Sequence, residues 1–251
     1  MCIRDSLSSL NGSFLNKHRI SSPEHLQNGD ELLIGKSLVS VNLLSSDFKT
    51  AAEDSIQTQA AAMKEATATV LLADVRNYTR MSEQLPIEDV SKSLQLWLSG
   101  VSGIIKTYGG TVDKYIGDCV MSFFAGEAEE ASALAKRALQ CGQEILKYTR
   151  EFSSSESWPH RDNSNWRCGV SINSGEAMLG GLGGKERRDF TILGDTVNSA
   201  FRLEALVSKY EVEIIVGAKT KEFLEDEFSF VCLGTEQLEG KEFELTVFTL
   251  I

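Results

Sequence analysis

The sequence shows no apolar run of transmembrane length and no signal-peptide pattern, so nothing in it predicts a bilayer-spanning helix or a secretory route. It has no CxxC pair. Its five cysteines, Cys2, Cys119, Cys141, Cys168 and Cys232, are scattered and odd in number. That excludes a complete disulfide framework and reads as reduced, buried thiols. It has no basic stripe, and its formal net charge is −11. Nucleic acid is therefore not an expected partner, although a nucleotide needs only a local cluster of cations and backbone N–H groups. There is no internal repeat and no low-complexity block. A cytoplasmic location is the expectation. The 251 residues, 42% hydrophobic and 24% charged, suffice for one ordinary core with a small extra module.

What is present is concentrated between Thr67 and Phe124. The run Thr67-Ala-Thr-Val-Leu-Leu-Ala73 reads as a buried strand by length and apolar content, and it breaks at Asp74. Val90, Leu94, Leu98, Val101 and Ile105 then recur on one helical face. The segment Val112-Asp-Lys-Tyr-Ile-Gly-Asp118-Cys-Val-Met-Ser-Phe-Phe124 is apolar on both sides of Gly117-Asp118, which suits a hairpin turning there. If the two strands pair, Asp74 and Asp118 end side by side. Carboxylates held that close favour a cation between them, and hard oxygen ligands at a strand end suit Mg²⁺ with phosphates. A solvated strand-end Asp and an independent turn Asp explain the same two residues.

The chain in order begins with Met1 to Ser6, which shows no cap or strand logic and reads as a truncated start. Asn11-Gly12 and Asn28-Gly29-Asp30 are turn signals between short apolar runs, a few antiparallel strands. The segment 45–66 is rich in Ala, Gln, Glu and Lys, with Ala51, Ile56, Ala60 and Met63 at helical spacing, and reads as a helical linker. Beyond the hairpin come a second helix over 127–152, a polar loop over 153–165 containing Trp158 and His160, and a strand over 166–173. In that strand Arg167 points outward and Cys168, Val170 and Ile172 inward. The Gly-rich stretch 175–184 is expected to bend the chain away from the sheet. A strand over 188–193, a helix over 196–209 and further short elements complete an α+β chain of β-α-β-β-α-β order, the ferredoxin-like arrangement, with extra C-terminal strands and helices.

In Gly194-Asp-Thr-Val-Asn198-Ser-Ala-Phe-Arg202-Leu-Glu204, Asn198 and Arg202 are four apart on a helix and share one face. Together they can hydrogen-bond a sugar and a phosphate. A solvated face with Arg202 paired to Glu186 or Glu204 is the bland alternative. Lys241, in a turn between the last strands, is a candidate phosphate contact or simply a solvated side chain.

Two resemblances sharpen this reading. Ser9, Asn11, Gly12, Ser13, Phe14 and Asn16, followed by Leu26-Gln-Asn-Gly-Asp-Glu-Leu-Leu-Ile-Gly35, resemble the C-terminal half of a forkhead-associated domain, which assigns 1–44 to a partial domain of that kind. Ala73-Asp74-Val-Arg-Asn-Tyr-Thr79, Gly109-Gly-Thr-Val-Asp-Lys114-Tyr-Ile-Gly-Asp118 and Phe190-Thr191-Ile-Leu-Gly-Asp-Thr-Val-Asn198-Ser-Ala-Phe-Arg202 resemble the catalytic domain of class III adenylyl/guanylyl cyclases, spanning 67–251.

The second resemblance implies that Asp74, Asp118 and the carbonyl of Val75 bind two Mg²⁺ (or Mn²⁺) ions. Backbone N–H groups of Asn77, Tyr78 and Thr79, with Lys241, would hold the triphosphate. Asn198 would orient the ribose, Arg202 would stabilise charge on the α-phosphate, and Lys114 with Thr191 would read the purine. A Lys/Thr pair is similar to the class IIIb subgroup, several members of which respond to bicarbonate. The implied protein is a homodimer with shared sites that converts ATP to cyclic AMP. A guanylyl cyclase and a non-catalytic cyclase-like binding module are the alternatives. Departures from the family pattern include Asn77 in place of Gly, tolerable because Asn accepts left-handed geometry, and Phe201 in place of a small residue.

Overall fold

The computed structural model describes residues 63–162, 164–183, 188–237 and 244–251, together with short stretches between 2 and 40. The chain divides into two compact units, Met1–Gln59 and Ala60–Ile251.

In the first unit, Ser13–Leu15 pairs with His18–Arg19 on one side and with Glu31–Ile34 on the other, and Ser37–Ser40 pairs with Glu31–Ile34. Asn16 holds this sheet together. It adopts φ 50°, its Nδ2 donates to Asp30 Oδ1 at 2.8 Å, and its Oδ1 accepts the Glu31 N–H at 2.9 Å. Its side-chain bonds add to the one from its own N–H to the Glu31 carbonyl at 2.8 Å, and Asn tolerates the left-handed turn. Most of the expected linker, 45–62, lies outside the described residues, but 64–66 belong to a strand. The strand boundary moves upstream because Lys64 to Ala66 find ladder partners at Ala177 to Leu179.

In the second unit, β1 is Lys64–Val75. Next come α1, Tyr78–Gln84, and α2, Ile87–Thr107. The hairpin strands are β2, Thr111–Ile116, and β3, Cys119–Gly126. Then follow α3, Ala131–Ser154, β4, Cys168–Gly183, and β5, Arg188–Leu193. The chain ends with α4, Asp195–Lys209, β6, Ile214–Gly217, α5, Ala218–Leu224, β7, Phe230–Gln237, and β8, Glu244–Leu250. The strands form one sheet in the order β7-β8-β6-β4-β1-β3-β2, with β5 paired to the far end of β4. The β4-β1-β3-β2 portion is the ferredoxin-like sheet.

Strand β1 explains its own unbroken apolar run. Leu71, Ala73 and Val75 join the larger core beneath α2 and α3, while Ala68, Val70 and Leu72 join a second core with Val197 and Ala200 of α4. A strand covered on both faces needs no polar alternation. Helix α2 begins after Pro86, carries Glu88 and Asp89 in its first turn and Lys106 in its last, and buries Val90, Trp97, Val101 and Ile105. The charges complement the helix dipole and the apolar spacing forms the inward stripe.

Two expectations are corrected. The Gly-rich stretch does not leave the sheet: β4 continues to Gly183, pairing with β1 as far as Leu179 and with β5 from Met178 onward. Its glycines permit close approach instead. A Cβ on Gly175 would lie 2.6 Å from Thr196 Oγ1, at the start of α4. The loop over 153–165 is not simply polar. Trp158 is wholly buried, its Nε1 donates to the Ser164 carbonyl, and its ring meets Trp166 at 4.9 Å between centroids. This aromatic cluster ties the end of α3 to the start of β4.

Candidate active site

Asp74 faces Cys119 across the β1–β3 ladder, so Asp118, one residue earlier in the hairpin turn, stands beside it. Gly117 takes φ 64° in that turn. Burial, then the negative charges of Asp118 and Glu204, push the Asp74 carboxyl up to about 7, and Arg76 pulls the other way. Burial also raises Asp118. Glu204 of α4 stands beside Asp74, and burial raises its carboxyl too. Val75 is buried in the larger core, which fixes the direction of the backbone at this strand end.

Among the described residues, no three His, Cys, Asp or Glu side chains form a ready-made metal cage. Asp74, Asp118 and the Val75 carbonyl are instead a sparse set of hard oxygen donors, the kind Mg²⁺ uses when phosphate and water complete its shell. Burial, and after it the neighbouring negative charges, disfavour the charged carboxylate of Asp74, a cost that a bound cation would offset, and the hard oxygen donors present fit the implied metal.

Asn77 adopts φ 60°, ψ 26° immediately before α1. The left-handed geometry expected of it is present. Thr79 is exposed. Tyr78 packs against the larger core, which leaves its backbone rather than its ring for a ligand. The cleft beside this loop is lined by Arg76, Arg80 and Arg167. Arg76 donates to the Val207 carbonyl at 3.2 Å, and burial with the adjacent positive Arg167 lowers its pKa. Lys241 lies outside the described residues.

A second cluster forms around β2 and β5. Lys114 Nζ donates to Thr191 Oγ1 at 3.3 Å, and Thr191 Oγ1 donates to Asp113 Oδ2 at 3.1 Å. Lys114 also pairs with Asp113 at 3.0 Å. Asn198 is exposed on α4, and Arg202, one turn on, is half-buried with its Nη1 unpartnered among the described residues. Among those residues, no hydrogen bond or ion pair joins Lys114, Thr191, Asn198 or Arg202 to Asp74 or Asp118.

Sequence reasoning missed Asp113 and the role of Glu204. Glu204 follows Arg202 by two positions and so leaves the helix on another face, back toward Asp74. The signal for Asp113 was its place next to Lys114, but ordinary strand alternation would have sent the two to opposite sides.

Residues 60–251 match the adenylate and guanylate cyclase catalytic domain model, and residues 1–35 match the FHA domain model. The chain belongs to the adenylate and guanylate cyclase family. Its cyclase domain is 28% identical to a terminal-differentiation-specific adenylate cyclase of Dictyostelium discoideum over 73% of this chain and 8% of that protein. It is 30% identical to an adenylate cyclase of Anabaena cylindrica over 59% of this chain and 29% of that protein. The chain thus spans less than a third of either relative. Among solved structures, the adenylyl cyclase CyaB from P. aeruginosa superposes with TM-score 0.66 at 26% identity, covering 76% of this chain and 96% of that one. The guanylyl cyclase Cya2 superposes with TM-score 0.65 at 26% identity, covering 75% and 93%. Among the described residues, no helix is long and apolar enough to cross a membrane.

Proposed function

We propose that this cyclase domain is an adenylyl cyclase that converts ATP to 3′,5′-cyclic AMP and pyrophosphate. The observation that carries the choice of base is the contact between Lys114 and Thr191 at 3.3 Å. Lys114 offers a donor to adenine N1, an acceptor, whereas guanine presents a donor there, and a donor set against a donor costs binding.

The other residues take roles around the same reaction. Asp74, Asp118 and the Val75 carbonyl would hold two Mg²⁺ or Mn²⁺ ions, whose chemistry is to acidify the ribose 3′-hydroxyl and to neutralise phosphate charge. Asn77, Tyr78 and Thr79 direct backbone N–H groups at the triphosphate, with Lys241 as a further cation. Asn198 orients the ribose for in-line attack on the α-phosphorus. Arg202 stabilises the charge that develops there, and its buried Nη1, without a partner among the described residues, suits that task. The 3′-oxygen bonds to phosphorus as the bond to pyrophosphate breaks, and no covalent enzyme intermediate is needed.

Among the described residues no hydrogen bond or ion pair joins the two sets, and a homodimer whose sites are each built from both copies would bring them together. A cytoplasmic location and activation by bicarbonate belong to the same reading. A second reading, a different base, is favoured by a 39% identical stretch of 70 residues in a uridylate cyclase of Rhodovulum. Initial rates with each of ATP, GTP and UTP, in Mg²⁺ or Mn²⁺ and with or without bicarbonate, decide the matter. Cyclic AMP as the dominant product supports the proposal. Dominant cyclic GMP or cyclic UMP refutes the base assignment, and no product from a folded dimer favours a non-catalytic module.

A further inference from the structure

We propose that Asp113 is a specificity-determining positioning residue: by taking the hydroxyl hydrogen of Thr191 it turns that hydroxyl into an acceptor, which selects a purine carrying a 6-amino group. The inference rests on the cyclase reading above and deepens its choice of base.

The local fold makes this possible. The β2–β3 register shifts between Val112 and Lys114, so Asp113 is the extra residue of a β-bulge. A bulge breaks strand alternation and re-aims side chains. Consecutive residues, Asp113 and Lys114, therefore both reach Thr191. The Asp113 side chain is fully buried and Thr191 is 3% exposed, so solvent does not compete for the bond between them, whereas the Lys114 side chain is 46% exposed. Opposite Thr191 on β4 stands Gly180, which adds no side chain to the pair.

Donors and acceptors can then be counted. A hydroxyl has one hydrogen and two lone pairs, and an ammonium has three hydrogens. Thr191 gives its hydrogen to Asp113 and one lone pair to Lys114. Lys114 gives one hydrogen to Thr191 and is held beside Asp113 by an ion pair at 3.0 Å. What remains for a ligand is donor capacity on Lys114 and one acceptor on Thr191. Adenine presents the complement, an acceptor at N1 and a donor at N6. Guanine, held in the same orientation through its ribose, presents a donor at N1 and an acceptor at O6 and mismatches both. Without Asp113, the Thr191 hydroxyl is free to rotate and donate to O6. Thr191 alone is ambiguous, and the buried carboxylate removes the ambiguity. The other oxygen, Oδ1, is buried with no partner among the described residues.

The test uses the whole chain and the variants Asp113→Ala, Asp113→Asn, Thr191→Val and the double variant Asp113→Ala/Thr191→Val. The readout is the ratio of kcat/KM for ATP to that for GTP. The ratio of Kd values for 3′-deoxy-ATP and 3′-deoxy-GTP, which lack the attacking hydroxyl, gives the same discrimination without turnover. Asp113→Ala should lower the ratio about tenfold, the scale of one net hydrogen bond. Asp113→Asn, whose amide oxygen still accepts from Thr191, should keep most of it. In the Thr191→Val background, Asp113→Ala should change nothing further. An unchanged ratio in folded Asp113→Ala, or an equal fall with and without the Thr191 hydroxyl, overturns the inference. If Asp113→Ala does not fold, Thr191→Val alone decides: an unaltered ratio leaves Asp113 nothing to act through. A wild-type chain that prefers GTP overturns the adenine reading itself, whereas an ATP-selective wild type with indifferent variants overturns only the role of Asp113.

Discussion

Mixing two inactive variants tests whether the active sites are shared. Asp74 belongs to the carboxylate cluster at the end of β1, and Arg202 projects from α4 with an Nη1 that has no partner among the described residues. On the proposed roles, replacing Arg202 by Ala would remove a donor aimed at developing charge, which typically lowers kcat by about 10²–10³. Asp74→Ala would remove one of the two carboxylates proposed to hold the metals and should be at least as damaging. In a two-fold dimer each site would take its aspartates from one copy and its Asn198 and Arg202 from the other. A heterodimer of the two variants then has one site with both defects and one with none. Equal amounts that exchange freely leave about half of the dimers mixed, each half active, so the mixture should recover about a quarter of wild-type activity. Heterodimers isolated with two affinity tags should recover about half. The assay is cyclic nucleotide formation before and after exchange, with mass spectrometry confirming the mixed species. Verified heterodimers no more active than their parents would refute a shared site and move all of these residues into one chain's own cleft.

Four further expectations concern the scaffold. Gly110→Ala places a Cβ 2.7 Å from Phe124 Cζ and 2.9 Å from Ile105 Cγ2. Such overpacking should destabilise by about 1–3 kcal/mol in a denaturant titration. Trp158→Ala empties a fully buried indole site in the loop between α3 and β4 and should destabilise by about 3–5 kcal/mol, with an unchanged midpoint counting against its structural role. Among Cys119, Cys141, Cys168 and Cys232, only Cys232 is exposed, and it should be the one of these four labelled rapidly by a thiol reagent before unfolding. Burial pushes Cys141 and Cys168 from the ordinary 9.0 up to about 12. The unfolded chain therefore loses these protons first. Their contribution to stability is complete below about pH 9 and declines as pH rises toward about 12, so the denaturation midpoint should fall across that window.

Much of the site was legible in the sequence because its chemistry is local. Asp74 ends an apolar run, Asp118 sits in a Gly-containing turn, and Asn198 and Arg202 share a helical spacing, all properties of neighbouring residues. The resemblance to the cyclase family placed Lys114 and Thr191 in one pocket, and the fold brings them to 3.3 Å. The two Asn-Gly pairs lie outside the described residues, and the described turn between N-terminal strands is at Asn16.

Tertiary structure decided what depends on partners distant in the chain. The Gly-rich stretch remains a strand because β1 extends upstream to meet it and β5 returns along its other edge. Trp158 is buried because Trp166 and the end of α3 close over a loop that composition marks as polar. Glu204 joins the aspartates because α4 crosses the sheet at their end. Asp113 reaches Thr191 only because a bulge cancels the alternation that a regular strand would impose. Periodicity can be read from one segment, but a bulge, a crossing and a shared proton are set by where two segments meet.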